Sequence, residues 1–463
     1  KGPAIQLVWY NWVPLSRAQQ KGPTVMRNCR SAWGILATVL LAVFPCISQK
    51  KARPAAAETQ ATPESVGFSS QRLENLHKII QDEIDQKQLA GAITILARHG
   101  KVVDYRVYGE RDMESHTPMT KDTIFRDYSM TKPVTGVAMM ILYEQGKWLP
   151  NAPIATYIPE FKNLKVFAGV DKEGKPILVE PDHPPTMREL MSHSAGFSYG
   201  SGNTVVDAMY KEIKPLQSAN LQEMIDKLAK IPLNYQPGKG WTYSLSIDIE
   251  GYLVEKFSGQ SLPDFMRDHI FMPLGMKDAG FFVPQEKQSR FATDYGIKDG
   301  KLVMVPVSGQ LGLGYTKQPT MPSGGGGLVS TAEDYYRFAQ MLGNGGVLEG
   351  TRVLAPSSVK LMGSNHLPAE VINGNFGIGM HQMRPGFGYG YNVAVVYDPP
   401  EANEPVGKGT FFWDGAAGTW FWVDPTNDIV FVGMIQRMTA PDNHPLLYRS
   451  HAAVYGALVD PAK

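Results

Sequence analysis

The chain has 463 residues, 43% of them hydrophobic and 19% charged, enough to fill one large core or two interlocked ones, so global disorder is excluded. Lys and Arg number 45 against 44 Asp and Glu, which leaves no basic surplus for a phosphate backbone, and no nucleic-acid partner is expected. With Cys29 and Cys46 as its two cysteines, the chain is not expected to carry a disulfide scaffold, a cysteine-based zinc site or an iron–sulfur cluster.

Residues 1–57 read as an N-terminal extension and secretory signal. Met26 opens a basic stretch with Arg27 and Arg30, and the apolar run Ala32 to Phe44 follows. That run is too short to span a bilayer, which takes about 20 residues. Ala55-Ala56-Ala57-Glu58 offers the small residues of a cleavage site. An uncleaved anchor is the alternative. Cys46 raises a lipoprotein reading, which Phe44-Pro45 before it suits badly. Cleavage after Ala57 removes eight basic residues, no acidic ones and both cysteines, leaving 406 residues at a formal charge of −7. The expectation is an exported chain, periplasmic or secreted, with no stable membrane anchor and no thiol nucleophile.

Ser69 or Ser70 caps a predicted helix whose Leu73, Leu76, Ile80 and Ile84 share one face. Ala92–Ala97 and Val102–Tyr108 read as strands of a hairpin turning at His99-Gly100-Lys101. From 127 to 290 the pattern is mostly helical, with a helix around Leu221–Lys230 and a polar loop over Asp171–Pro185. Strands return at Gly409–Trp413, Thr419–Val423 and Ile429–Ile435, and a helix closes the chain over Pro445–Val459. The predicted class is α+β: an antiparallel sheet flanked by helices, built from 58–126 and 291–463, with the mostly helical domain 127–290 inserted.

The segment Phe125-Arg126-Asp127-Tyr128-Ser129-Met130-Thr131-Lys132 precedes a stretch apolar almost all round, the mark of a buried helix. Pro133 fits only a first turn, so the helix begins near Ser129. Ser129 and Lys132 then share a face one turn apart. Serine alone is a weak nucleophile, but a lysine held away from water has its ammonium destabilised and takes a proton. The helix N-terminus favours an oxyanion there. A second segment, Gln236-Pro237-Gly238-Lys239-Gly240-Trp241-Thr242-Tyr243-Ser244-Leu245, delivers Tyr243 just before a helix from Ser246. A phenol beside an ammonium is drawn toward phenolate and can act as base and then acid. A third, Trp413-Asp414-Gly415-Ala416-Ala417-Gly418-Thr419, reads as a strand of small residues, where a backbone N–H could pair with that of Ser129 around an oxyanion.

These three segments, in this order, resemble the serine hydrolases related to class C β-lactamases and penicillin-binding DD-peptidases, and most closely the family VIII carboxylesterases. The resemblance runs from about residue 65 to the C-terminus and takes in Leu190–Gly196 and Gly325–Asp334. It implies Ser129, Lys132 and Tyr243 as the catalytic set and Ser129 and Ala416 as the oxyanion donors. Trp413-Asp414-Gly415 matches the esterases' Trp-x-Gly, with Trp413 and Gly415 beside the substrate, where β-lactamases carry Lys-Thr-Gly. Leu245 stands where that tyrosine motif usually has Asn. Both departures favour neutral esters over anionic β-lactams.

Gly196-Phe197-Ser198-Tyr199-Gly200 fits the nucleophile elbow of α/β-hydrolases, but helix before it and loop after it are the wrong context, so Ser198 reads as a decoy. Ser323-Gly324-Gly325-Gly326-Gly327 lacks the ending of a phosphate cradle, and Ser330-x-x-Glu333 reads as a capping box. His193 reads as structural, and a pairing of His444 with Asp424 has nothing to bring it near Ser198. No histidine spacing suggests a metal, and neither metal nor cofactor is expected. The expected function is a serine carboxylesterase acting on small, short-acyl esters through an acyl-enzyme. The alternatives are an amidase, β-lactamase, DD-peptidase or acyltransferase of the same fold, an α/β-hydrolase using Ser198, or a penicillin-binding protein that acylates without turnover.

Overall fold

The structure, a computed structural model, describes residues 61–305, 314–373, 385–438 and 443–462. The signal expected in residues 1–57, with Cys29 and Cys46, lies outside them, as does the side chain of His444. Helix α1 (Ser70–Asp85) starts where Ser69 accepts the Arg72 N–H, and buries Leu73, Leu76 and Ile80. Strands β1 (Gly91–Arg98) and β2 (Lys101–Asp112) follow. The link between them is two residues, His99 at φ 53° and Gly100 at φ 68°, and this left-handed pair matches the twist of a hairpin.

β1 and β2 belong to an eight-stranded antiparallel sheet. Its order is Phe387–Tyr389, Ala394–Val396, Thr410–Asp414, Trp420–Asp424, Ile429–Met434, β1, β2, Thr117–Pro118. Successive side chains of Trp420–Asp424 show how the layers form. Trp420 donates to Ser450 Oγ at 3.2 Å and Trp422 meets the His451 ring at 4.4 Å, both on the closing helix Asn443–Ala457. Phe421 between them points the other way, onto Tyr335 of the helix Ala332–Gly343. With helices on both faces, every residue of Ile429–Met434 and of β1 is buried, which explains why both are mostly apolar without alternation.

The region from 127 to 290 carries the expected helices Leu221–Leu228 and Ser246–Ser258. Two expectations are corrected here. The polar loop at 171–185 contains a strand, Pro176–Val179, paired with Val166–Val170. The Asp171 carboxylate accepts the N–H groups of Glu173 and Lys175 and closes that turn, while Ile177, Leu178 and Val179 remain exposed, so no core-facing alternation betrays the strand. The cap of helix Ala332–Gly343 is Thr331, accepting from Asp334 N, and not Ser330. Ser330 instead donates to Asp127 Oδ1 at 2.8 Å.

Candidate active site

The short strand Ile124–Arg126 pairs with Val329–Thr331 and delivers the chain to Asp127. Tyr128 next adopts a left-handed φ of 46°. Such strain costs about 1–3 kcal/mol for a side chain of this size and must be held by its surroundings. The buried Tyr128 hydroxyl donates to Asp294 Oδ2 at 2.7 Å and the ring stands edge-on to Tyr315. Tyr128–Met130 form a single 3-10 turn, and helix α2 (Thr131–Glu144) begins two residues later than the sequence suggests. Pro133 falls in its first turn, where its missing N–H costs nothing. Residues Thr131 to Leu142 are all buried. Three-residue spacing across this junction brings Lys132 Nζ to 3.0 Å from Ser129 Oγ.

Tyr243 arrives from a loop fixed at both ends, with Gly238 N donating to Ser194 O and Thr242 N to His193 O. Its ring sits among Trp241, His193, Tyr199 and Trp413, at centroid distances of 6.3, 5.1, 5.4 and 5.5 Å. Its hydroxyl donates to Ser129 Oγ at 2.7 Å. The structure thus brings Lys132 and Tyr243 together at the oxygen of Ser129, a half-buried residue.

Burial decides the protonation of this trio. Lys132 is 1% exposed, and desolvation pushes its pKa down to about 7 against the opposing pull of Asp248, Asp414 and Glu250. The same burial pushes Tyr243 up, away from phenolate, with its hydrogen bond to Ser129 working the other way. The expected drift of Tyr243 toward phenolate is therefore corrected: burial raises the phenol, and the same burial weakens the lysine's hold on the proton that would make it a full cation beside that phenol. A neutral amine donating to Gly325 O at 2.6 Å keeps its lone pair for the Ser129 proton.

Trp413 and Asp414 end the strand Thr410–Asp414, whereas Gly415–Thr419 form a turn and not the expected strand. Gly415 N donates to Thr419 O, and Thr419 Oγ1 donates to Asp127 O, docking the turn two residues ahead of Ser129. A Cβ on Gly415 would lie 2.4 Å from that same Asp127 oxygen, so only glycine permits the approach. Ala416 is exposed at the tip of the turn. Trp413 is 2% exposed and packs against Tyr243 and Tyr389. Among the described residues no group of three His, Cys, Asp or Glu side chains is arranged to hold a metal.

The Beta-lactamase family profile matches residues 76–455. The chain belongs to the β-lactamase family. Within this family it is 34% identical to Protein Rv1367c of Mycobacterium tuberculosis over 77% of the chain and 88% of that protein. It is 30% identical to Esterase EstB of Burkholderia gladioli over 75% of the chain and 86% of EstB. The structure of EstCE1, described as a hydrolase with promiscuous acyltransferase activity, superposes with a TM-score of 0.70 at 26% identity, over 83% of this chain and 99% of EstCE1. The chain is a serine hydrolase of β-lactamase fold, similar to the family VIII carboxylesterases.

The rival nucleophile of this β-lactamase-family chain is engaged elsewhere. Ser198 is 1% exposed; its Oγ donates to Asp207 Oδ1 and accepts from Gly200 N, both at 2.9 Å. Ser198→Ala is expected to leave kcat/KM for an ester within about threefold of wild type while lowering stability by about 1–2 kcal/mol, read from paired kinetics and urea unfolding. His193 bonds Ser244 Oγ at 3.0 Å through Nδ1 and packs on Tyr243, a supporting role. Asp424 accepts from Gly407 N, Thr426 N, Asn427 N and Tyr455, which makes it a turn organiser. A residue beside the nucleophile also escaped the sequence reading. Tyr199, beside the decoy serine, faces Tyr243, and its ring centroid lies 5.6 Å from Lys132 Nζ. The available signal was the segment 196–200 itself, read for the wrong side chain.

Proposed function

We propose that this β-lactamase-family protein is a carboxylesterase that cleaves small, neutral, short-acyl esters through an acyl-enzyme on Ser129. The observation that carries the reading is the convergence of Lys132 Nζ and Tyr243 Oη on Ser129 Oγ. Lys132 takes the serine proton as Oγ bonds to the ester carbonyl carbon. The N–H groups of Ser129 and Ala416 receive the oxyanion. As the C–O bond breaks, Tyr243 donates its proton to the departing alkoxide and is resupplied by the Lys132 ammonium. Water then adds to the acyl-enzyme, its proton follows the same route in reverse, and the acid leaves as Ser129 is reprotonated.

Three features support an ester over a β-lactam. Trp413 replaces the cationic residue that would meet a carboxylate, Leu245 replaces an amide that would bind an acylamido group, and the relatives include Esterase EstB and the hydrolase EstCE1. We expect kcat/KM for p-nitrophenyl acetate or butyrate to exceed that for a chromogenic cephalosporin by at least about a hundredfold, because a site without the charged partner discriminates by a few kcal/mol. Comparable rates would favour the β-lactamase alternative. The promiscuous acyl transfer of EstCE1 favours one second reading, in which an alcohol takes the acyl group in place of water. A transesterified product formed from vinyl acetate and a primary alcohol, in competition with hydrolysis, would establish it.

A further inference from the structure

The four-glycine segment, a poor phosphate cradle by sequence, is pinned through the carbonyls of three of its glycines. Gly324 O accepts from Thr135 Oγ1 at 2.7 Å, Gly325 O from Lys132 Nζ at 2.6 Å and Gly326 O from Tyr315 at 2.7 Å. Its N-terminal half is held by one carboxylate. Asp248, the third residue of the helix Ser246–Ser258 and 1% exposed, accepts through Oδ1 from Ser323 Oγ at 2.6 Å and from Gly325 N at 3.1 Å. Gly325 is thereby gripped from both ends, by Asp248 at its nitrogen and by Lys132 at its oxygen. A Cβ there would meet Asp248 Oδ2 at 2.8 Å and the Tyr199 hydroxyl at 3.1 Å, so glycine is what lets the carboxylate, the phenol and the lysine crowd round one residue.

We propose that Asp248 is a positioning residue for the proton transfer from Ser129: it clamps Gly325 so that the Gly325 carbonyl aims Lys132 at the serine, and its charge sets how readily Lys132 gives up its proton. The inference rests on the reading of Ser129 as nucleophile and Lys132 as base. The other groups facing Lys132 are Glu250 from the same helix, Asp414 from the strand Thr410–Asp414, and the phenols of Tyr199 and Tyr243. Glu250 is buried against Asn392 Nδ2 and pushed up to about 8, so it is largely uncharged at neutral pH. Asp414 is partly exposed and its field is screened. Asp248 is the largest of the three carboxylate influences that favour the ammonium; burial raises its carboxyl above the usual carboxylate range, and the bonds from Ser323 and Gly325 N, with the charge of Lys132, hold the carboxylate form against that. It is also the one tied to the lysine through Gly325.

The test uses Asp248→Asn, which keeps an acceptor but loses the charge, with Asp248→Ser in parallel so that misfolding of one leaves the other to decide. The kcat/KM for p-nitrophenyl acetate is followed against pH and divided by the number of sites that a fluorophosphonate labels, so only folded, competent molecules count. Removing the negative charge is expected to move the acid limb at least about half a pH unit lower, raising activity on that limb about threefold relative to the plateau. A purely structural role would reduce the labelled fraction and leave the limb in place, and an unshifted limb with Ser129 labelled in the wild type overturns this inference alone. Absence of label on wild-type Ser129 overturns the nucleophile reading and this inference with it.

Discussion

Ser129→Ala is expected to lower kcat/KM for a p-nitrophenyl ester by at least about 10⁴-fold, since removing a nucleophile that works as part of a unit forfeits nearly the whole covalent route. The variant keeps its fold. Ser129 sits in a 3-10 turn held by its neighbours, by Tyr128 on Asp294 and Asp127 on Ser330, and its hydroxyl bonds the two groups that serve it, Lys132 and Tyr243. Thermal unfolding within a few degrees of wild type, alongside the lost rate, separates chemistry from collapse. Retention of more than a tenth of the activity would mean that another side chain attacks the ester.

Lys132→Met is expected to cost about 10³-fold, within the range of a lost general base. It also tests the electrostatics. With the wild-type lysine pushed down to about 7, kcat/KM climbs roughly tenfold per pH unit below 7 and levels above it, because only the free amine accepts the serine proton. Stability carries a matching signature. Between pH 7 and 10.5 the unfolded lysine binds a proton that the folded one has lost, so wild-type stability rises with pH across that window relative to the Met variant. Urea midpoints of both proteins at pH 7 and 9.5 measure it, and parallel curves would show that Lys132 keeps its charge in the fold.

Much of this was legible because local sequence and global fold agree. The Ser69 cap, the His99-Gly100 turn and the mostly apolar α2 each say in a few residues what the tertiary structure then uses. Ser129 and Lys132 were readable because helical spacing alone makes them neighbours. Tyr243 was readable because a Pro-Gly turn and a helix start fix where it points. Tyr199 was not, since its approach to Lys132 depends on how the 192–200 segment crosses the site, which no periodicity encodes. Asp248 was hidden for a similar reason: inside Ser246–Ser258 it looks like an ordinary polar position, and its partners Ser323 and Gly325 lie more than seventy residues away in sequence. The protonation of Tyr243 was misjudged because spacing shows that a lysine is near but not that both groups are dry. The 176–179 strand was missed because its apolar side chains face solvent.

The most direct measurement is the intact mass of the protein after incubation with a serine-directed phosphonate, followed by peptide mapping of the adduct. A single phosphonyl group on the peptide containing Ser129, absent from Ser129→Ala and slow to form in Lys132→Met, is the expected result. An adduct on the peptide containing Ser198, or none at all on the folded protein, would contradict it.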